Sequence, residues 1–87
     1  MSAHCEGLNP GQIEWTDRFK RYMGHEGIIE TGDAEYVVKV DIRRTHATIF
    51  ITPDIPRDGL VRVSKNFIAF MIMTMHSVRN YHISICD

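Results

Sequence analysis

AEYVVKVDIRRTHATIFITPD, residues 34–54, carries the strongest secondary-structure signal in the chain. Apolar and polar side chains alternate along each half of this segment, and a period of two residues is typical of β-strands with one buried face. The residues on the apolar side are Tyr36, Val38, Val40 and Ile42 in the first half and Ala47, Ile49 and Ile51 in the second. The segment therefore predicts a β-hairpin with one face turned to the core.

A two-residue turn at Arg44-Thr45 brings the two alternations into one register. The pairs that it forms on the inner face are Ile42 with Ala47, Val40 with Ile49, and Val38 with Ile51. Because directly opposite residues share a face of a sheet, the pattern and the register support each other. Arg-Thr lacks the glycine or asparagine that tight hairpin turns favour, so a longer or bulged loop is the alternative.

The segment before the hairpin predicts a helix over residues 10–23. Asn9 can cap this helix, and Pro10 suits its first position because no amide donor is needed there. The apolar stripe that follows at helical spacing consists of Trp15, Phe19, Tyr22 and Met23. Gly24 is a natural end for the helix.

The segment after the hairpin predicts a strand, a helix and a final strand. LVRVS, residues 60–64, reads as a short strand, and Ser64 can cap a helix over residues 65–79, with Asn80 as its C-terminal cap. YHISICD, residues 81–87, closes the chain with a second clear alternation. Between the first helix and the hairpin, residues 25–33 read as a short strand or a turn.

Together these elements predict an α+β fold, a small two-layer sandwich in the order α-β-β-β-β-α-β. The sheet is expected to be mostly antiparallel, with both helices on one face. The strand–helix–strand ending, residues 60–86, is expected to join parallel neighbours. In the chain of 87 residues, residues 1–8 are expected to be a flexible tail and residues 9–87 a single domain.

The second predicted helix is apolar almost all round. At 100° per residue, its core-facing arc consists of Phe67, Ile68, Met71, Ile72, Met75 and Val78. Phe70, Met73 and Ser77 lie outside that arc, on a side that carries no charge. Either the first helix or another copy of the chain must cover them. These three residues are therefore a candidate protein interface, and we expect a symmetric homodimer.

No motif for catalysis or for cofactor or metal binding stands out. The five histidines lack the spacing of a zinc site, and the glycines are isolated. No acid pair and no nucleophile–base pair can be assigned. We therefore expect a chain that is not an enzyme and that has no metal or cofactor of its own.

The cysteines and the hydropathy bear on the compartment. Cys5 and Cys86 lie near opposite ends of the chain; two reduced thiols are the preferred interpretation and a disulfide is the alternative. The N-terminus does not resemble a signal peptide, and the apolar run 67–75 is far shorter than the roughly 20 residues that cross a bilayer. We expect a cytoplasmic protein that does not enter a membrane.

The outer face of the hairpin is a candidate nucleic-acid surface. The predicted register places Lys39 opposite Phe50 and Arg43 opposite His46. Cationic side chains neutralise the phosphates of single-stranded nucleic acid, and an aromatic ring stacks on its bases. A face that carries both is therefore a candidate binding surface. A formal net charge of −1 and the lack of an RNA-binding motif weigh against this interpretation.

The sequence thus favours a small protein-binding module, an inhibitor or regulator that occupies the surface of a partner protein as a homodimer. The size class is compatible with a phage- or mobile-element-encoded viral protein. One alternative is a regulator that binds single-stranded nucleic acid through the outer hairpin face. The other is a non-catalytic subunit of a larger complex.

Overall fold

The predicted hairpin lies at the centre of the structure. The computed structural model describes residues 5–26 and 32–86. β1, Val37–Arg43, and β2, His46–Ile51, pair antiparallel. The two residues between them form the predicted tight turn, in which Arg44 adopts the left-handed conformation with φ of 47°. Arginine thus occupies a turn position at which glycine or asparagine adopts the required backbone conformation more easily.

The register of the hairpin is confirmed near the turn and shifts at the far end. The predicted pairs that the structure contains are Ile42 with Ala47 and Val40 with Ile49. The third predicted pair, Val38 with Ile51, is wrong, because a bulge between Val37 and Lys39 places Val37 opposite Ile51. The extra residue moves the alternation by one, so Val37 is buried and Val38 is half-buried.

α1, Pro10–Arg21, begins where the sequence predicts. Asn9 Oδ1 accepts a hydrogen bond from Gln12 N at 2.8 Å, and Gln12 Oε1 accepts one from Asn9 N at 3.0 Å. This reciprocal cap satisfies two amide groups at the start of the helix. A π-helical turn, Tyr22–Glu26, continues the chain past Gly24, where the helix was expected to end.

α1 lies along the outer edge of β1. Thr16 Oγ1 accepts a hydrogen bond from Val40 N at 2.8 Å, and both residues are buried. One turn earlier in the helix, Gln12 Nε2 donates to Asp41 Oδ1 at 3.1 Å. The helix therefore covers an edge whose backbone groups would otherwise be open to pairing with another strand.

α2, Arg57–Thr74, includes the whole of residues 60–64, so the strand predicted there is wrong. Val63 and Phe67 are fully buried and Leu60 packs beside them, at the spacing of one helix face. A stretch of five residues is short enough for a period of two and a helical period to be confused. Despite its 18 residues, α2 is not apolar enough to cross a membrane, and neither is the other described α-helix.

The predicted ends of the second helix are also wrong. Pro56 precedes its first residue, where a missing amide donor costs nothing. Ser64 is not a cap, because its Oγ donates to Leu60 O one turn back at 2.7 Å. The helix ends at Thr74, and Asn80 is the first residue of the last strand.

β3, Asn80–Ile85, lies parallel to β2 and completes a sheet of order β1-β2-β3. α2 connects these parallel neighbours, so a strand–helix–strand ending is confirmed. Its first strand is β2 and not residues 60–64. The sheet is mixed rather than mostly antiparallel. The α+β class is confirmed, with three strands instead of five in the part of the chain that the structure describes. Residues 27–31, most of the first predicted strand, lie outside that part.

One core joins the sheet to both helices. Its buried members are Phe19, Met23, Val37, Val40, Ala47, Ile49, Ile51, Val63, Phe67, Phe70, Met71 and Val78. The inward orientation predicted for Val40, Ile49 and Ile51 is confirmed, since none of the three has exposed surface.

Cys5 and Cys86 form a disulfide, with 2.05 Å between their sulfur atoms. The prediction of two reduced thiols is therefore wrong. Both residues are buried, and the bond ties the segment before α1 to the end of β3. The described part of the predicted flexible tail, residues 5–8, thus begins at a residue that is covalently anchored to the end of β3. Residues 1–4 lie outside the described ranges.

Candidate protein-binding surfaces

Phe70 faces α1 and not solvent, so its assignment to an interface is wrong. The side chain is 3% exposed. Its ring contacts three aromatic rings, at centroid distances of 6.0 Å to Trp15, 5.3 Å to Phe19 and 5.2 Å to Tyr22. For this position the alternative holds, namely that the first helix covers the second within one chain.

The other two predicted interface residues remain accessible. Met73 is 53% exposed. It lies three residues after Phe70 and therefore on the same side of α2. Ser77 is exposed in the turn between α2 and β3. The side of α2 that faces α1 is thus covered at Phe70 and open at Met73.

A cleft of about 190 Å³ lies between α1 and α2 beside Met73. Its lining residues are Arg18, Arg21, Tyr22, Phe70, Met73 and Thr74. Buried Phe70 forms an apolar floor, and the exposed arginines form a cationic rim. The volume suits one or two side chains rather than a drug-sized ligand.

The two arginines of the cleft have different surroundings. The guanidinium carbon of Arg18 lies 4.2 Å from the ring centroid of Trp15, in a cation–π contact that fixes its position. Arg21 is exposed at the end of α1. Neither forms an ion pair with a carboxylate of the described residues. Neither arginine is singled out by the sequence, because a helical pattern does not show which neighbour lies across from a given side.

Two residues assigned to the core-facing arc of the second helix are exposed. Ile68 is 41% and Ile72 is 57% exposed. The arc was placed wrongly because the helix was predicted without its first two turns, and the buried side passes instead through Val63, Phe67 and Met71. Because that side faces the core, Ile68 and Ile72 form an apolar strip of α2 in contact with solvent.

β3 carries two isoleucines on the face of the sheet that holds the core. Ile83 pairs with Ile49 and Ile85 with Ile51, so each shares a face with a fully buried residue of β2. They are nevertheless 39% and 41% exposed. β3 is an edge strand, and in residues 5–26 and 32–86 no further strand lies beyond it.

The candidate nucleic-acid face has the predicted register but not the predicted exposure. Lys39 lies opposite Phe50, as expected, yet it is only 6% exposed. Its ammonium nitrogen lies 4.7 Å from the centroid of the Phe50 ring, which is half-buried. A ring that already has a cation against it presents little surface on which a base could stack.

The other two residues of that face are also engaged. Arg43 lies opposite His46, as predicted, and its Nε donates to Asp41 Oδ2 at 3.1 Å. This ion pair offsets the positive charge that a phosphate would meet. The ring of His46 stacks on that of His82 in β3, with 5.9 Å between centroids.

A second hollow, of about 300 Å³, lies near the start of β1 and is acidic. It is lined by Glu35, Tyr36, Thr52 and Asp54. Burial of the phenol and the negative charge of Glu35 raise the pKa of Tyr36. Over the described part of the chain, no group of three histidine, cysteine, aspartate or glutamate residues is placed to hold a metal ion.

Comparisons with known proteins give no assignment for this chain. No protein-family model, no curated protein and no solved structure matches it.

Proposed function

We propose that the chain is a non-enzymatic protein-binding module that holds a segment of a partner protein in the cleft between α1 and α2. The observation that carries the proposal is Met73, a large apolar side chain that is 53% exposed beside an arginine-lined cleft. Methionine and arginine are both enriched at protein interfaces, and methionine adapts to irregular partners.

The chemistry of the cleft indicates the kind of segment that it fits. Met73 and Tyr22 offer apolar contact area, and the small volume limits the guest to one or two side chains. The guanidinium groups of Arg18 and Arg21 suit a carboxylate, which arginine can bind through two parallel hydrogen bonds. We therefore expect a partner segment with an apolar residue next to an aspartate or glutamate. By occupying that segment the chain would act as an inhibitor or regulator.

A charge-reversal experiment tests the proposal. The partner is identified by cross-linking in the native source, and its affinity is then measured for purified wild-type protein and two double variants. Arg18→Glu with Arg21→Glu should weaken binding at least about tenfold, or about 1.4 kcal/mol. The matched control, Arg57→Glu with Lys65→Glu, makes the same charge change at exposed positions of α2 outside the cleft and should bind normally. Equal losses in both variants would contradict the proposal.

Single-stranded nucleic acid remains the other ligand class to test. Because Lys39 is buried against Phe50 and Arg43 is paired with Asp41, we expect no measurable complex at physiological salt. Titration with labelled single-stranded DNA and RNA checks this. A micromolar complex that weakens with salt, and that loses about 1–3 kcal/mol in Phe50→Ala, would favour the nucleic-acid function instead.

The compartment is a separate proposal. A cytoplasmic location was predicted together with reduced thiols, but a disulfide between two buried cysteines is typical of oxidising compartments. We therefore propose that the oxidised chain is the functional form. Thiol labelling after acid quenching of the native source should find Cys5 and Cys86 unreactive; labelling of both would restore the cytoplasmic interpretation.

A further inference from the structure

The two edges of the sheet differ in their protection. α1 covers the edge of β1 through the hydrogen bond from Val40 N to Thr16. No described element makes a backbone hydrogen bond to the outer side of β3. Edge strands are normally protected by a charged side chain, a proline or a bulge. The sequence of β3, NYHISI, has no charged residue and no proline, and its pairing with β2 shows no bulge.

On its outer side, the backbone of β3 presents a regular row of groups that no described element pairs. Asn80 N donates to Thr45 O at 3.0 Å at the start of the strand, and Cys86 N donates to Ile51 O at 2.9 Å just after it. Alternate residues of a strand point their peptide groups to the same side, so those of His82 and Ser84 also face β2. The N–H and C=O groups that face away from the sheet belong to Tyr81, Ile83 and Ile85.

This row is complementary to itself. If a two-fold axis passes beside Ile83, that residue lies opposite Ile83 of a second copy, and Tyr81 lies opposite Ile85 of the copy. All three outward residues then exchange N–H···O bonds across the axis, about six bonds in total. The other residues pair His82 with Ser84 of the copy, so no like charges meet.

The apolar surface extends from the strand onto the helix. Ile83 and Ile85 lie on the face that α2 covers and keep 39% and 41% of their surface exposed. At 100° per residue, Ile68 lies about 160° around α2 from Phe70, and so on the side away from α1. A second copy joined at β3 brings this side of its own α2 next to the first. The contact is thus larger than one six-residue strand alone.

We infer that β3 pairs antiparallel with β3 of a second copy, in the register centred on Ile83, and forms one continuous six-stranded sheet. This inference goes beyond the proposed function, which concerns only the cleft between α1 and α2. It uses the side of α2 away from α1, whereas the proposed partner cleft lies on the side facing α1. The dimer therefore leaves Met73 free to contact a partner.

Light scattering on purified full-length protein tests the inference. At tens of micromolar the wild type should have twice the mass of the 10.1 kDa chain. Ile83→Lys places two ammonium groups beside each other at the axis and should give a folded monomer by circular dichroism. The matched control Met73→Lys also adds a lysine at an exposed apolar position and should stay dimeric while losing the partner. This difference separates failure of the dimer from failure of the cleft.

Cross-linking keeps the test decisive if Ile83→Lys does not fold. Cysteines at position 83 of two copies would lie about 5.5 Å apart between Cα atoms, within disulfide range. Ile83→Cys should therefore form a covalent dimer under mild oxidation, mapped to position 83 by mass spectrometry, whereas Met73→Cys should not. A wild type that is monomeric at tens of micromolar, or cross-linking that is equal at both positions, overturns the inference.

Discussion

The ion pair between Asp33 and Arg62 joins α2 to the turn before β1. Arg62 donates from Nε to Asp33 Oδ2 at 2.7 Å and from Nη2 to Oδ1 at 3.1 Å. These bonds raise the pKa of Arg62. The side chain of Asp33 is 9% exposed, so water offers its carboxylate little compensation if the guanidinium is removed.

Arg62→Met should therefore lower the free energy of unfolding by about 2 kcal/mol, the usual contribution of hydrogen bonds to a charged group. Urea denaturation at pH 7 measures the change. Lys65→Met is the control, because Lys65 is exposed and substitutions at such positions usually stay within about 0.5 kcal/mol. Equal stability of the two variants would show that the pair contributes nothing beyond a surface contact.

At the residue scale the sequence predicts neighbours better than it predicts exposure. The alternation placed Lys39 opposite Phe50 correctly. It gave no sign that Lys39 is buried, because a period of two shows which residues share a face and not what else covers that face. The same limit applies to Met73, whose arginine neighbours come from a different helix.

At the scale of elements, the packing of α1 on α2 decides which residues can form an interface. Phe70→Ala removes a buried ring from the aromatic cluster and should cost about 3–5 kcal/mol of stability. Met73→Ala should change stability by less than about 1 kcal/mol, since half of its surface is exposed. Thermal and urea unfolding of both variants gives the comparison. A small loss in Phe70→Ala would return this residue to the list of interface candidates.

The start of α2 shows why one element was misassigned. Residues 60–64 alternate as a strand would, but Val63 also falls on one helical face with Phe67. Gly59, directly before this stretch, also lies within the helix and close to Asp33: a Cβ at this position would be 3.2 Å from Asp33 Oδ1. That need for a small residue arises from a tertiary contact, which local patterns do not reveal.

At the scale of the whole molecule, the disulfide closes almost the entire chain into a loop. Cys5 and Cys86 are separated by 81 positions. In the chain-entropy model, a loop of this length stabilises the folded state by about 4.5 kcal/mol. This is a large fraction of the roughly 5–10 kcal/mol that a domain of this size is expected to have.

Reduction of the bond should therefore lower the free energy of unfolding by about 2–4.5 kcal/mol. Urea denaturation with and without a reducing agent measures the change. The double variant Cys5→Ala, Cys86→Ala should match the reduced wild type and serves as the control for effects of the reductant. An unchanged unfolding midpoint would mean that the bond contributes little to stability.

The sequence predicts the α+β class and the central hairpin because both depend on local periodicity. It does not predict the sheet order, since two adjacent strands can be extended at either edge by β3. The exposed edge and the isoleucines beside it follow only once that order is known. The candidate dimer contact therefore had no sequence signal beyond the alternation of Tyr81, Ile83 and Ile85.

Residue-resolved hydrogen exchange of the β3 amides is the most direct test of the central claim, that this edge pairs with a second copy. In a monomer, the amides of Asn80, His82 and Ser84 should be protected, since they face β2. The outward amides should exchange freely; these are Tyr81, Ile83 and Ile85. In the dimer that we infer, all six should be protected at high concentration, and the outward three should lose protection on dilution. Fast exchange of the outward three at a concentration of hundreds of micromolar would contradict the account.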